Sequence, residues 1–122
     1  MQAYERISLF LHKINPTNLL ARVMKSKMRV GLLHSTLLAT IRDEYEHNMS
    51  QQLYISNRSW ELVKAAKEDV VRLVNSSAAK FNSDDDSNLF AQDIITNGFN
   101  NLNSPIDKAL VGLKEDIREN FS

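Results

Sequence analysis

Glu44 and His47 come first among the residues that could do chemistry, because a Glu-x-x-His spacing sets a carboxylate and an imidazole on one face of a helix. Carboxylate-bridged metal bundles use that motif twice and add a glutamate from each of two further helices. Here the motif occurs once, since neither His12 nor His34 has an acid three residues before it. Glu44 and His47 are therefore expected to hydrogen-bond or to face water, with Asp43–His47 and Arg42–Glu46 spaced for i,i+4 pairing. His34 falls on an apolar stripe, where a satisfied core or interface histidine is expected rather than a ligand. The chain has no Cys, which excludes disulfides and a thiol nucleophile. No Ser sits in a Gly-x-Ser-x-Gly setting, and no glycine-rich loop is present to cradle a phosphate. The expectation is a non-enzymatic protein with no catalytic residue, no metal and no cofactor; a helical bundle holding a small ligand or a metal is the alternative.

Two further groups could bind something. Asn48, Gln51, Gln52 and Tyr54 cluster where a long helix ends. They could satisfy open backbone groups of the turn, form a polar layer between helices, or hold a small polar ligand. Arg22, Lys25, Lys27 and Arg29 form a short basic run that could meet an anionic surface. The formal net charge is +0, and no aromatic is interleaved with these cations, which argues against nucleic acid. The charge is unevenly spread. Residues 1–42 carry seven basic groups and the single acid Glu5, whereas residues 43–122 carry eight basic and fourteen acidic groups. The two parts are expected to face each other within one fold or between subunits.

These residues must be positioned by helices. With 122 residues, 43% hydrophobic and 25% charged, the chain suits one globular domain. Its most apolar window, residues 30–41, contains His34, Ser35, Thr36 and Thr40 and is well short of the ~20 residues that span a membrane. Glu5, Arg6, His12 and Lys13 interrupt the first apolar positions, so no signal peptide is visible. Periods near 3.6 predict an all-α bundle of five or six mostly antiparallel helices, two of them long and central. The expected core is 1–81, with helices at about 2–14, 16–25, 27–51 and 57–81. An acidic linker at 82–88 follows, and then a C-terminal helical hairpin at 89–122 that packs on the core or on a second subunit.

Particular residues set the boundaries. Asn15-Pro16 ends the first helix and caps the second. Ser26 is expected to cap the third, where Gly31 costs about 1 kcal/mol of propensity. Ser56 caps the fourth by accepting from the backbone at 58 or 59, with Ile55 and Trp60 spaced as a hydrophobic staple; Ser56→Ala should cost about 1 kcal/mol. Gly98 is expected to be a left-handed helix stop, residues 100–103 a loop, and Ser104-Pro105 the start of a last helix. That helix has the stripe Ile106, Leu110, Leu113, Ile117 and Phe121. Together with Tyr4, Phe10 and Leu11 this is more apolar surface than a tail beyond a linker should expose. A twofold homodimer is the expected cover, and a fold-back onto the bundle is the alternative.

Several stretches, in order, resemble a known family: Gln2-Ala3-Tyr4-Glu5-Arg6, Leu9-Phe10-Leu11, Ile14-Asn15-Pro16, Asn18-Leu19, Ile41-Arg42, Glu44-Tyr45-Glu46-His47-Asn48, Gln51-Gln52, Tyr54-Ile55-Ser56 and the run from Trp60 to Lys67. They resemble an uncharacterised family of small bacterial proteins, a domain of unknown function, over about residues 2–80; from Phe81 onward the tail reads as generic helix. Members of that family begin with one transmembrane helix, followed by a charged stretch and then this helical region. The resemblance implies either a fragment with an added start methionine, membrane-associated in its full-length form with this domain on the cytoplasmic side, or a natural short protein. In the first case the basic third lies near the membrane, where each Lys or Arg gains about 1 kcal/mol from anionic lipid. The resemblance carries no activity and transfers no site residues.

Overall fold

A computed structural model describes residues 2–99 and 104–121 as an all-α bundle. Its helices are α1 Gln2–Ile14, α2 Pro16–Val23, α3 Val30–Asn48, α4 Asn57–Ala78, α5 Asn88–Phe99 and α6 Pro105–Phe121. A 3-10 helix, Met49–Tyr54, joins α3 to α4. Among the described residues there is no strand, only one isolated bridge between Arg29 and Asp86. The expected loop at 100–103 and the side chain of Phe121 lie outside the described residues.

α4 runs through the middle and packs on α6, α3, α5 and α1, while α2 closes against α1, α3 and α5. Each helix turns its 3.6-period stripe inward. Ile7, Phe10, Leu11 and Ile14 come from α1, Leu33, Leu37 and Ile41 from α3, and Trp60, Val63, Ala66, Val70 and Val74 from α4. α5 adds Phe90 and Ile94, and α6 adds Ile106, Ala109 and Leu113. Tyr4, Phe10, Leu11, Ile106 and Leu113 are thus buried within one chain, and Leu110 and Ile117 pack on the same core. The apolar surface that pointed to a dimer is covered intramolecularly, which removes that argument for one.

Local capping sets two helix starts. Asn15 Oδ1 accepts from Thr17 N at 3.1 Å with Pro16 in the first helical position. Ser56 Oγ accepts from Ser59 N at 3.1 Å at the start of α4, while Ile55 and Trp60 are both buried.

α3 starts differently from expectation. It begins at Val30 behind Arg29, which makes no side-chain cap bond, so Ser26 is not the cap. Its open amides are met by carbonyls from the acidic segment: Val30 N donates to Asp85 O and Gly31 N to Ser83 O, both at 2.9 Å. Arg29 Nη1 donates to Asp84 O at 2.8 Å, and Ser87 N returns a bond to Met28 O at 3.1 Å. Residues 82–88 are therefore not a spacer beyond the bundle but the N-terminal cap of α3, made of backbone. Gly31 is explained by the same contact, because a Cβ there would lie 3.1 Å from Ser83 Cβ.

Other boundaries move as well. α2 ends at Val23 rather than 25, and α3 gives way to the 3-10 helix at Met49 instead of running to 51. α4 ends at Ala78 rather than 81. The Asn48 amide donates to Glu44 O at 2.7 Å, a side-chain claim on a helix carbonyl of the kind that loosens a last turn. No described glycine has a positive φ, so Gly98 is not a left-handed stop; α5 continues through it to Phe99.

The turn between α2 and α3 instead places Lys27 at φ 62°, with its side chain exposed. A non-glycine residue pays steric strain there, so Lys27→Gly is expected to raise stability by about 1 kcal/mol. A melting temperature that fell would show that the lysine side chain matters more than its backbone.

Candidate functional site

The structure separates Glu44 from His47. Glu44 receives Arg22 Nη1 at 3.5 Å and lies 3.9 Å from Lys13 Nζ, while Arg22 Nη2 also donates to Lys13 O at 3.0 Å. His47 turns back along its own helix, with Nδ1 2.9 Å from Asp43 O. Among the described residues no group of three or more His, Asp or Glu is placed to hold a metal ion. His34 Nε2 is 2.7 Å from Asn75 Oδ1, and its ring meets Phe90 edge-on.

The polar group at the end of α3 does not converge on a cleft. Asn48 is used by Glu44 O, Gln51 Nε2 donates to Ser50 Oγ at 3.3 Å, and Gln52 and Tyr54 face solvent. Nor does the basic run present four cations together. Arg22 is turned to Glu44 and Arg29 to the Asp84 carbonyl beside Asp86, leaving Lys25 and Lys27 exposed on the turn. In these contacts the basic first third meets the acidic remainder inside one chain.

Two carboxylates missed in the sequence organise the other side. Asp93 of α5 accepts from the buried Ser77 hydroxyl, from Lys80 Nζ at 3.0 Å and from Asn97 Nδ2 at 3.2 Å. The Ser77 bond is the main reason its pKa lies below the ordinary value. Such a carboxylate is a poor base, and the Ser77 hydroxyl is committed to it, so this trio is not arranged as an activated nucleophile. Asp116 of α6 is buried and accepts from Ser56 Oγ at 2.7 Å and Ser56 N at 3.3 Å. It takes the part that a glutamate at the third helical position plays in a capping box, but from another helix. Beside it Arg58 Nη2 donates to Glu115 Oε2 at 2.5 Å. The available signal was an acid three residues after Leu113, within the apolar stripe of α6.

The outer side of α3 exposes several apolar residues. Val30, Leu33, Leu37 and Ile41 point inward, yet Leu32 is 59% exposed and Met49, just past the helix end, is 46% exposed. Between them lies Ala39, half-buried, whose short side chain leaves the helix backbone open to close approach. Leu53 on the 3-10 helix is 84% exposed. The hydroxyls on this stretch are already used. Ser35 Oγ and Thr36 Oγ1 donate to Leu32 O at 3.1 and 2.7 Å, and Thr40 Oγ1 donates to Thr36 O at 2.8 Å. Toward α4 the face deepens into an open groove of about 380 Å³, lined by Leu38, Ile41, Tyr45, Met49 and Val71 and edged by Arg42, Glu46 and Lys67. Tyr45 forms its floor, stacked on Trp60 at 5.6 Å, tilted on Phe10 at 6.0 Å, and with Lys67 Nζ 4.6 Å above its ring. Burial, and then the charges of Glu68 and Glu61, push the Tyr45 phenol above 10.0, so it stays a neutral, largely apolar platform.

No curated protein and no solved structure matches the chain. A family model does, over residues 1–120, so the likeness noted over residues 2–80 stopped short and α5 and α6 belong to the matched region. With nearly its whole length matched, the chain belongs to the family of unknown function DUF7935.

Proposed function

We propose that this domain is a non-enzymatic helical interaction module whose working surface is the outer face of α3. The observation that carries the reading is the apolar groove over Tyr45 together with the exposed apolar residues that continue it. On α3, Leu32 and Ala39, with Met49 at its C-cap, fall on one line of alternating three- and four-residue steps, with Ser35, Arg42 and Glu46 at the steps between; Leu53 is exposed beyond it on the 3-10 helix. That is the spacing with which one helix meets another, and the Ser35 hydroxyl on it is turned back onto its own backbone. A half-exposed aromatic platform beside an apolar groove is the usual anatomy of such a surface. The resemblance to bacterial proteins with one transmembrane helix ahead of this region supports a membrane-proximal setting, with the module on the cytoplasmic side. No helix among the described residues is long and apolar enough to cross a membrane itself.

Site-specific photo-cross-linking in cells tests the reading. A cross-linker in place of Met49 should capture a protein partner, whereas one in place of the exposed Lys114 on α6 should not. Equal capture at both positions, or none at either, would overturn it.

A further inference from the structure

Building on that reading, we infer that the occupant of the α3 face is a second copy of this chain, its own α3 laid antiparallel across a twofold axis level with Glu44. The argument is charge and shape complementarity. Arg42 and Glu46 both lie on the outer line, and both are exposed. Their spacing would let them pair within the helix, but they do not. Arg42 has only its exposed neighbour Asp43 at 3.8 Å, and no ion pair holds Glu46 among the described residues. Reversing α3 about residue 44 sets Arg42 of each copy opposite Glu46 of the other, which gives two reciprocal ion pairs. The same reversal opposes Ala39 to Met49, so a long flexible side chain enters the space that a short one leaves.

Along the line from 39 to 49, each charged group thus meets its opposite, and each apolar group meets an apolar one. Neighbouring registers break this. Sliding one copy by a turn brings Glu46 onto Glu46 with Arg42 against Ser50, or Arg42 onto Arg42 with Glu46 against Leu38. A chain with formal net charge +0 offers no long-range repulsion to a second copy. A twofold arrangement uses the same patch on both subunits, which is what a self-complementary line requires.

Charge reversal tests the pairing without touching the core. Sedimentation of the whole chain at tens of micromolar should give a dimer. Arg42→Glu alone and Glu46→Arg alone should each weaken it by about tenfold, because each leaves two like-charge contacts at the seam. The double variant Arg42→Glu with Glu46→Arg should restore the parental dissociation constant to within about threefold. Helical circular dichroism identical across the set excludes misfolding as the cause. A monomeric parent, or a dimer that neither single reversal weakens, or a double variant no better than the singles, overturns the inference. If the parent is monomeric while a cross-linker at position 49 captures a different protein, self-pairing falls and the interaction face stands. If no capture occurs either, both fall.

Discussion

Replacing Phe90 with alanine is expected to lower stability by about 4 kcal/mol, in the range for truncating a fully buried phenylalanine. The ring has 0% exposure. It meets His34 of α3 edge-on at 6.3 Å and Phe81, just after α4, at 6.1 Å. These two ring contacts add to burial, each by about 0.5–1.5 kcal/mol. Phe90→Leu keeps most of the apolar volume and should lose about half as much. Urea unfolding should show a lower midpoint with an unchanged slope. Because Phe90 also anchors the segment that caps α3, the amides of Val30 and Gly31 should lose exchange protection before the rest of that helix. A loss below about 2 kcal/mol would mean that the site relaxes around the missing ring.

Asp116→Ala is expected to cost about 3 kcal/mol, because it leaves the Ser56 hydroxyl and amide without their acceptor at a part-buried helix start. Ser56→Ala, worth about 1 kcal/mol as a cap alone, should cost about 2 because the same hydroxyl also donates to Asp116. The double variant should cost clearly less than the sum of the singles. The pH dependence has a definite sign. Burial pushes the Asp116 carboxyl up, but the Ser56 bonds and the Arg58 charge outweigh it, and its pKa lies below 3.8 in the folded chain. The unfolded chain therefore takes up this proton first as pH falls. The contribution is complete above about pH 4 and is lost as pH drops through the folded value. Asp116→Asn should be less stable than the parent at neutral pH and converge with it in strong acid. Curves that stay parallel down to about pH 2 would show that the carboxylate charge is not what holds the joint.

What could be read from the residues was what acts locally. The stripes of α1, α4 and α6 follow from side chains three and four apart, and Ser56 and Asn15 cap the helices that start right after them. Leu32 and Leu38 were present in the apolar window, but periodicity assigns only one inward face to a helix, so neither marked an outer surface. Ala39 carries no signal at all, since a small apolar residue suits a core, a seam or open solvent equally. Ser26 looked like a cap because capping is usually a matter of neighbours. α3 is instead begun by carbonyls some 55 residues on, and carbonyls carry no residue-type signature. Asp116 and Asp93 were illegible for the same reason: a carboxylate on a helix says nothing about which distant hydroxyl it will accept from. The Glu44–His47 spacing occurs once in the sequence, which carried no sign that Arg22 and Lys13 would claim Glu44.

The backbone cap on α3 and the carboxylate cap on α4 have a consequence for how the chain is made. Each long helix is completed by residues synthesised 55 to 60 positions later. A nascent chain that has just released α4 already has the Ser56 side chain on the Ser59 amide, but has neither the carbonyls that start α3 nor the Asp116 carboxylate. The α3 cap follows almost at once, whereas at roughly 5–20 residues per second the stretch from Ala78 to Asp116 takes about 2–8 seconds, a window in which a chaperone or a neighbouring nascent chain competes for the face of α4 that α6 covers. The joint at the start of α4 is therefore completed only when α6 arrives.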